Sequence, residues 1–157
     1  MKPLLAIGVG NPLMGDDGVG CVVAEHLASD PRLPECAEVI CGGPDLLRYA
    51  GQMEGRRRVV VIDAVQGDTE PGSVVIFDGA CSGLDERQDH AHHLSAVQAI
   101  RLLEMTTSVR CSLVGISVSS VAAGAGLSPA VNARMPTILD RVLRELGRGS
   151  AESMELL

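Results

Sequence analysis

Two adjacent carboxylates stand in a glycine-rich loop near the start of the chain. The segment Gly8–Gly18 reads Gly-Val-Gly-Asn-Pro-Leu-Met-Gly-Asp-Asp-Gly. It follows an apolar run and precedes a helical pattern, so Asp16 and Asp17 fall at a helix entrance, where a carboxylate favours the positive end of the helix dipole. One acid is enough to cap a helix. The second is therefore a candidate for general base catalysis or for binding a cation.

A glycine-rich turn after a first strand is also typical of nucleotide sites, but the composition of Gly8–Gly18 disfavours one. A pyrophosphate would face two carboxylates where such sites present bare amide groups. The third glycine of the dinucleotide fingerprint and the Gly-Lys-Ser/Thr of a phosphate loop are both missing from this segment. The loop is therefore not expected to bind a nucleotide.

A third acid, Asp63, follows the apolar run Val59–Ile62. A carboxylate at the end of such a run is costly if it is buried without a partner. In a parallel α/β sheet this position opens onto the crevice where ligands bind. Asp63 is thus a candidate functional residue, with a structural cap as the alternative.

Histidines are concentrated in one place, His90-Ala91-His92-His93, directly after Asp89 and at the start of a predicted helix. Imidazole together with carboxylates suits zinc, nickel, iron or copper. The H-E-x-x-H pattern of zinc proteases does not occur in the sequence. A solvated helix start is the alternative, above all for His90.

Composition predicts one globular domain with an aliphatic core. The chain has 157 residues, of which 46% are hydrophobic, with one Tyr, one Phe and no Trp. The net charge of −7 repels nucleic acid and anionic membranes, and the lack of aromatic residues removes the platforms for base stacking. No apolar run is long enough for a signal peptide or a transmembrane helix. We expect a cytoplasmic protein.

Cysteine and arginine patterns are less informative. The five cysteines contain no C-x-x-C, so neither a zinc ribbon nor a redox dithiol is indicated, and several are expected to be small buried side chains in a reducing cytosol. The run Arg56-Arg57-Arg58 is expected to be a solvated loop or a patch of intersubunit salt bridges. The oligomeric state cannot be predicted from these patterns.

The elements that position the acids alternate between strand and helix patterns. They predict a three-layer α/β sandwich around a five- or six-stranded, mainly parallel twisted sheet, with residues 1–149 as a single domain and 150–157 as a frayed tail. Segments Asp78–Ala91 and Ser119–Leu127 are expected to be loops, and Pro136 is expected to kink the last helix. The predicted strands are Pro3–Val9, Glu38–Cys41, Arg58–Ala64, Val74–Phe77 and Ser112–Val118, and the predicted helices are Asp17–Ala28, Leu46–Met53, one from His92 and one from Ser128.

Taken together, these segments resemble the hydrogenase maturation endopeptidases, which trim the large subunit of nickel–iron hydrogenases. The family's opening pattern, Gly-x-Gly-Asn-x-Leu-x-x-Asp-Asp/Glu-x-x-Gly, is matched throughout from Gly8 to Gly20. Further matches follow in order over nearly the whole chain: an acid after a central strand, a Pro-Gly turn, a histidine at a helix start, a Val-Gly-Ile stretch and a Gly-Leu-Ser before the last helix. These are Ile62-Asp63, Pro71-Gly72, His92-His93, Val114-Gly115-Ile116 and Gly126-Leu127-Ser128.

The resemblance implies a nickel-recognising triad of two acids and a histidine. Carried over to this chain, the triad is Asp17, Asp63 and either His92 or His93. His92 is preferred because it puts apolar residues on the family's apolar helix positions, whereas His93 would put Arg101 there. The apolar residues are Ala99, Ile100 and Leu103.

The function implied by the resemblance is removal of a C-terminal peptide from a large-subunit precursor that already carries nickel. The metal is then substrate-borne and only weakly bound by the free enzyme, and Asp16 or Asp17 could act as general base, with Asp63 as the other catalytic acid. The segment Cys41–Pro44 departs from the family pattern, which often has an acid before the two glycines. Two alternatives are a nickel-binding chaperone without proteolysis and a nucleoside-phosphorylase-like enzyme, although the first loop lacks the arginine that a phosphate would need.

Overall fold

Five strands form one mainly parallel sheet in the computed structural model. The model describes residues 1–66, 69–78, 96–118, 124 and 126–155, with side chains up to residue 148. The strand order is β2-β1-β3-β5-β4, and only β4 runs antiparallel to its neighbour among these strands. The strands are β1 Leu4–Val9, β2 Ala37–Gly43, β3 Arg58–Gln66, β4 Val74–Asp78 and β5 Cys111–Val118. The predicted three-layer α/β architecture and the mainly parallel sheet are confirmed.

Helices cover both faces of the sheet. Short 3-10 turns at Gly15–Gly18 and Leu46–Tyr49 lead directly into the first two helices. The sequence places each apolar stripe at helical spacing, and burial against the sheet stabilises helices that are short by themselves. The helices are α1 Val19–Ala28, α2 Ala50–Met53, α3 Ala96–Thr106, α4 Pro129–Ala133 and α5 Met135–Glu155.

The core is divided by the sheet into two aliphatic clusters, because successive strand residues point to opposite faces. On one face, residues such as Ala6 and Ile62 pack with α1, α4 and α5. On the other face, residues such as Ile7 and Val61 pack with α2 and α3. Alternation therefore decides which helical layer each strand residue contacts, including the residues of the site.

Strands β1 and β3 meet at the point where the chain reverses its direction of travel across the sheet. The chain leaves β1 toward β2 at one edge, and it leaves β3 toward β5 and β4 at the other. At such a switch point the loops diverge beyond the carboxyl ends of the strands and leave a crevice between them. The Gly8–Gly18 loop lies at this position.

Local hydrogen bonds define one helix start and one turn. The Asp45 carboxylate accepts a hydrogen bond of 3.2 Å from the amide of Leu47, so it caps the helical segment that follows. In the turn before β4, the amide of Ser73 donates to the carbonyl of Glu70 at 3.0 Å, and Gly72 has φ +90°. Glycine suits this position because other residues rarely adopt a positive φ.

The prediction for the basic run 56–58 is wrong for two of its three arginines. Arg56 and Arg58 are buried rather than solvated. Arg56 forms an ion pair with Glu38 at 2.7 Å, and Arg58 forms one with Glu145 at 2.9 Å. Burial of a guanidinium requires such a partner, and both carboxylates come from distant elements that the sequence does not reveal.

The cysteines are divided between the interior and the surface. Cys21 and Cys111 are buried, as predicted for small apolar side chains, whereas Cys36 and Cys41 are exposed. Cys41 lies in β2, which is an edge strand of the sheet, and residues of an edge strand can remain exposed to solvent. Cys81 lies outside the described residues, together with most of the predicted loop 78–91.

The C-terminal helical region differs from the prediction at two points. Helix α4 ends at Ala133 and α5 begins at Met135, so Pro136 stands in the first turn of a new helix instead of kinking a continuous one. Proline is tolerated there because the first amides of a helix have no intrahelical acceptor. Helix α5 continues to Glu155, within the segment 150–157 that was assigned to a tail.

Candidate active site at the carboxyl ends of β1 and β3

The Gly8–Gly18 loop leaves β1 through a turn that requires glycine. Gly10 has φ +128°, and a Cβ at this position would lie 2.0 Å from the carbonyl oxygen of Asp17. The same Cβ would lie 3.7 Å from Oδ1 of Asp63. Gly10 therefore sits between the two acids of the predicted triad and lets the loop fold back against them.

The tip of the loop is fixed by hydrogen bonds to a distant segment. The amide of Gly15 donates to the carbonyl of Gly124 at 2.8 Å, and the amide of Gly124 donates to the carbonyl of Leu13 at 3.1 Å. Within the loop, Oδ1 of Asn11 accepts from the amide of Leu13 at 3.0 Å. These bonds give the acids that follow a defined position before any ligand binds.

Asp17 lies in the 3-10 turn Gly15–Gly18, just before α1, and is half-buried. Its Oδ2 accepts a hydrogen bond of 2.9 Å from the amide of Asn11, which holds the carboxylate over the turn that begins at Gly10. Asp17 is therefore positioned by the loop itself rather than by capping a distant helix, and its carboxylate remains close enough to Asp63 to influence it.

Asp16 has a different environment, although it is adjacent in the sequence. It is only 6% exposed, and its two carboxylate oxygens accept hydrogen bonds of 2.7 Å from the amide and the hydroxyl of Ser128. Ser128 is the N-cap residue of α4. Both oxygens are thus engaged in tying the first loop to the C-terminal helices, which favours a structural role for Asp16 over a role as general base.

The Asp16–Ser128 link gives a testable effect on stability. We expect Asp16→Asn and Ser128→Ala each to lower the free energy of unfolding by about 1–3 kcal/mol, because each leaves buried polar groups without their partners. The double variant should cost less than the sum of the two. Chemical denaturation measures this, with Ser29→Ala as an exposed control expected to change stability by less than about 0.5 kcal/mol. Additive losses would show that the two residues act independently.

The sequence suggested that Asp63 stands at the end of its strand. In the structure β3 continues past it to Gln66, in register with β5. Pairing with β1 does stop one residue earlier, at Gly8 opposite Ile62. Asp63 is consequently the first residue of β3 that faces the crevice beyond β1. By alternation its side chain belongs to the face covered by α2 and α3.

The protonation of Asp63 is unusual. Burial raises its pKa to about 8, and the negative charge of Asp17 adds to the increase. A hydrogen bond of 2.8 Å from the amide of Ala64 to Oδ1 opposes the shift only in part. Without a cation, the site therefore favours the protonated form of Asp63 at neutral pH. Strongly shifted acids in a crevice are typical of functional sites.

The histidines of the predicted triad, His92 and His93, lie outside the described residues. The structure thus brings Asp17 and Asp63 together and leaves the third ligand a prediction. Helix α3, which follows the histidines in the chain, packs on the sheet face to which Asp63 belongs, with Ala99, Ile100 and Leu103 buried. No group of three histidine, cysteine or acidic residues able to hold a metal ion is found within the described part of the chain.

A separate surface cavity of about 490 Å³ lies beside Arg58, Arg110 and Cys111, toward the other end of the sheet. None of the residues of the Gly8–Gly18 loop lines it. The candidate site residues therefore lie in the crevice at the switch point and not in this cavity.

Comparison with known proteins finds relatives of this chain over nearly its whole length. The family model HycI, described as hydrogenase maturation protease, matches residues 21–145. The chain belongs to the hydrogenase maturation protease family. It is 28% identical to the hydrogenase 2 maturation protease of Escherichia coli K12 over 155 residues, which cover 96% of this chain and 94% of that protein.

Solved structures of the family share the fold. The hydrogenase maturating endopeptidase HybD from E. coli superposes with a TM-score of 0.72 over 90% of both chains at 26% identity. HycI from Thermococcus kodakarensis superposes with a TM-score of 0.74 over 94% of both chains, although its 22% identity bears on the fold alone. Membership of a protease family removes the support for the phosphorylase-like alternative.

Sequence reasoning missed one residue of this hydrogenase maturation protease, Ser128. The sequence pattern places Ser128 only at the start of the last helix, whereas its contact with Asp16 joins segments 112 residues apart. The only signal was the pairing of two acids where a helix start needs one.

No described helix is both long and apolar enough to cross a membrane.

Proposed function

We propose that this protein removes the C-terminal extension of a nickel–iron hydrogenase large-subunit precursor after nickel has been inserted. The observation that carries the proposal is the convergence of Asp17 and Asp63 on Gly10, with the pKa of Asp63 raised to about 8. The precursor is the partner, the reaction takes place in the cytoplasm, and the nickel arrives with the substrate.

The charge of Asp17 raises the proton affinity of Asp63, and such a pair of carboxyl groups is suited to receive a divalent cation. A cation between them stabilises both charged forms, so it replaces the proton on Asp63. Oxygen donors together with one imidazole, from His92 in the preferred assignment, suit nickel. Three protein ligands leave coordination positions for groups of the precursor, which explains recognition of a nickel-loaded substrate with only weak affinity for free metal.

The residues of the site then have distinct roles in hydrolysis. Nickel in the bound substrate supplies Lewis-acid chemistry at the scissile carbonyl. Asp17 and Asp63 would orient the cleavage segment over the Gly10 turn, and a carboxylate oxygen of this pair that does not hold the metal would accept the proton of the attacking water. The hydrogen bond from the amide of Asn11 fixes Asp17, so the crevice keeps its geometry during the reaction.

Nickel dependence is tested with precursor prepared in nickel-loaded and nickel-free forms. We expect the protein to trim the loaded precursor and to leave the nickel-free one uncut over the same time, because the acids engage the substrate through its metal. Electrophoresis and mass spectrometry of the released peptide measure the cleavage. Equal trimming of both forms would contradict the proposal.

The same assay separates a protease from a nickel-binding chaperone. Asp17→Asn should abolish release of the peptide if the chain is the protease. If the chain only inspects the precursor, no peptide is released by the wild-type protein either, and the substitution removes metal capture alone. The control is Asp140→Asn, which changes an exposed carboxylate on α5.

Weak metal binding by the isolated protein identifies the histidine ligand. We expect nickel or cadmium to bind through Asp17, Asp63 and His92, and His92→Ala to reduce the affinity about 10-fold or more. His93→Ala is the matched control and should leave the affinity nearly unchanged. Calorimetric titration measures both. Unchanged binding in His92→Ala together with a loss in His93→Ala would transfer the assignment to His93.

A further inference from the structure

Two cysteines that are distant in the sequence lie together behind the Gly8–Gly10 turn. Cys41 pairs with Gly8 in the register of β2 and β1, so both residues face α1. Helix α1 approaches β1 unusually closely here, because a Cβ on Gly8 would lie 2.1 Å from the carbonyl oxygen of Gly20. Cys21 follows Gly20 in the first turn of α1, and its thiol lies close enough to the thiol of Cys41 for that group to raise its pKa.

The two thiols differ in their access to solvent and in what they touch. Cys41 is exposed, whereas Cys21 is only 2% exposed. The sulfur of Cys21 lies 3.7 Å from the carbonyl oxygen of Gly8 and 3.8 Å from that of Gly10. One thiol can therefore meet a reagent from solution, and the other is in contact with the turn that separates Asp17 from Asp63.

We propose that Cys21 and Cys41 are a reversible modification site, which a small-molecule disulfide converts into an intramolecular disulfide that lowers the activity of the enzyme. Formation of the bond is independent of the proposed function, whereas its effect on cleavage rests on that function. None of the residues of the catalytic crevice takes part in the exchange chemistry.

The reaction consists of two thiol–disulfide exchanges. The thiolate of exposed Cys41 attacks one sulfur of the small disulfide, forms a mixed disulfide and releases one small thiol. Cys21 then loses its proton to solvent and attacks the Cys41 sulfur, which releases the second small thiol. In total the two protein thiols are oxidised and one small disulfide is reduced to two thiols. Burial and the contact with Cys41 raise the pKa of Cys21 to about 12, so the second exchange is the slower one.

The bond would change the catalytic crevice through the Gly8–Gly10 turn. A disulfide is about 2.05 Å long, shorter than the van der Waals contact of two sulfur atoms, so its formation draws the start of α1 and the end of β2 together. No free space exists between Gly8 and Gly20 to absorb this movement. The displacement is therefore transmitted to Gly10 and Asp17, where a shift of about 1 Å can reduce a rate substantially.

The test exposes the full-length protein to oxidised glutathione, followed by alkylation of the remaining thiols and intact-mass analysis. We expect a species that carries three alkyl groups, where the fully reduced protein carries five, and no glutathione, and peptide mapping should assign the bond to Cys21 and Cys41. Cleavage of nickel-loaded precursor by this species should fall about 10-fold or more and recover after treatment with dithiothreitol. In Cys41→Ser no bridge should form and the activity should persist under oxidation, whereas Cys36→Ser, which removes another exposed thiol, should behave like the wild type.

Three results would overturn the proposal. Glutathione retained on Cys41 without conversion to the bridge would show that Cys21 does not react, and a bond mapped to another cysteine would show that the contact is not the reactive one. A bridged protein with full activity would refute the effect on catalysis. Absence of cleavage by the fully reduced protein would count against the proposed function, and the mass analysis would still decide whether the bridge forms.

Discussion

Replacing Asp63 by asparagine is expected to reduce cleavage of the nickel-loaded precursor by about 10²–10⁴-fold while leaving the fold intact. The amide has nearly the shape of the protonated acid that burial already favours, and it can still accept the hydrogen bond from the amide of Ala64. It cannot become an anion when the metal approaches, and it cannot take a proton from water. Rate measurements at saturating precursor, with circular dichroism as a check of folding, test this.

The same substitution changes the dependence of stability on pH in the metal-free protein. The pKa of Asp63 is about 8 in the folded protein, against 3.8 for an ordinary aspartate. Between these values the folded state holds a proton that the unfolded state has released, so the free energy of unfolding falls as pH rises, by up to about 1.4 kcal/mol per pH unit. Below pH 4 and above pH 8 this contribution is constant.

Asp63→Asn removes that slope. We expect its stability relative to the wild type to increase from pH 4 to pH 8 and then to level off, as measured by urea denaturation in the presence of a chelator. Asp140→Asn, on the exposed surface, should show no comparable increase over the same range. A constant difference between Asp63→Asn and the wild type across this window would show that Asp63 has an ordinary pKa. Cleavage at the wild-type rate by a folded Asp63→Asn protein would remove Asp63 from the site.

Substitution of Gly8 by alanine is expected to lower the stability of the protein strongly. The added Cβ would lie 2.1 Å from the carbonyl oxygen of Gly20 and 2.9 Å from the Cβ of Ala24, so helix α1 must move away from β1. Overpacking of this kind costs about 3 kcal/mol, which corresponds to a fall of roughly 10 °C in Tm for a chain of this length. Because the same movement displaces Asp17, activity should fall as well.

Gly51 provides the matched control for this substitution. It lies in α2, and no atom outside its immediate neighbours comes within 4 Å of a Cβ built there. Gly51→Ala should therefore be neutral or stabilising by up to about 1 kcal/mol, since alanine favours the helix. Thermal unfolding followed by circular dichroism compares the two variants. Equal Tm values for Gly8→Ala and the wild type would show that the contact between α1 and β1 can relax without cost.

The layout of the sheet could be predicted from the sequence because it depends on patterns of neighbouring residues. The apolar runs at Leu4–Val9 and Cys111–Val118, the Pro-Gly turn before β4 and the helical stripes all act over a few residues. Their order then restricts the topology to a parallel sheet with helices on both faces. The position of Asp63 in a crevice follows from the same pattern, although the length of β3 does not.

The roles of the two adjacent acids could not be predicted in this way. Asp16 and Asp17 are equivalent in composition and spacing, and they differ only because Ser128 engages Asp16 while Asn11 engages Asp17. The raised pKa of Asp63 likewise depends on burial by residues from other segments and on the charge of Asp17. Neither the roles of the two acids nor the pKa of Asp63 depends only on residues that are close together in the sequence.

By itself, then, the sequence determined the order of strands and helices, the aliphatic core and the loop that carries the acids, because each of these is encoded by residues close together in the chain. Only the tertiary structure decided that Arg58 is buried against Glu145, that Asp16 is held by Ser128 and that Cys21 meets Cys41. These contacts join residues far apart in sequence. They arise because glycine lets α1 lie directly on β1, and because buried charges take their partners from whichever distant element packing brings within reach.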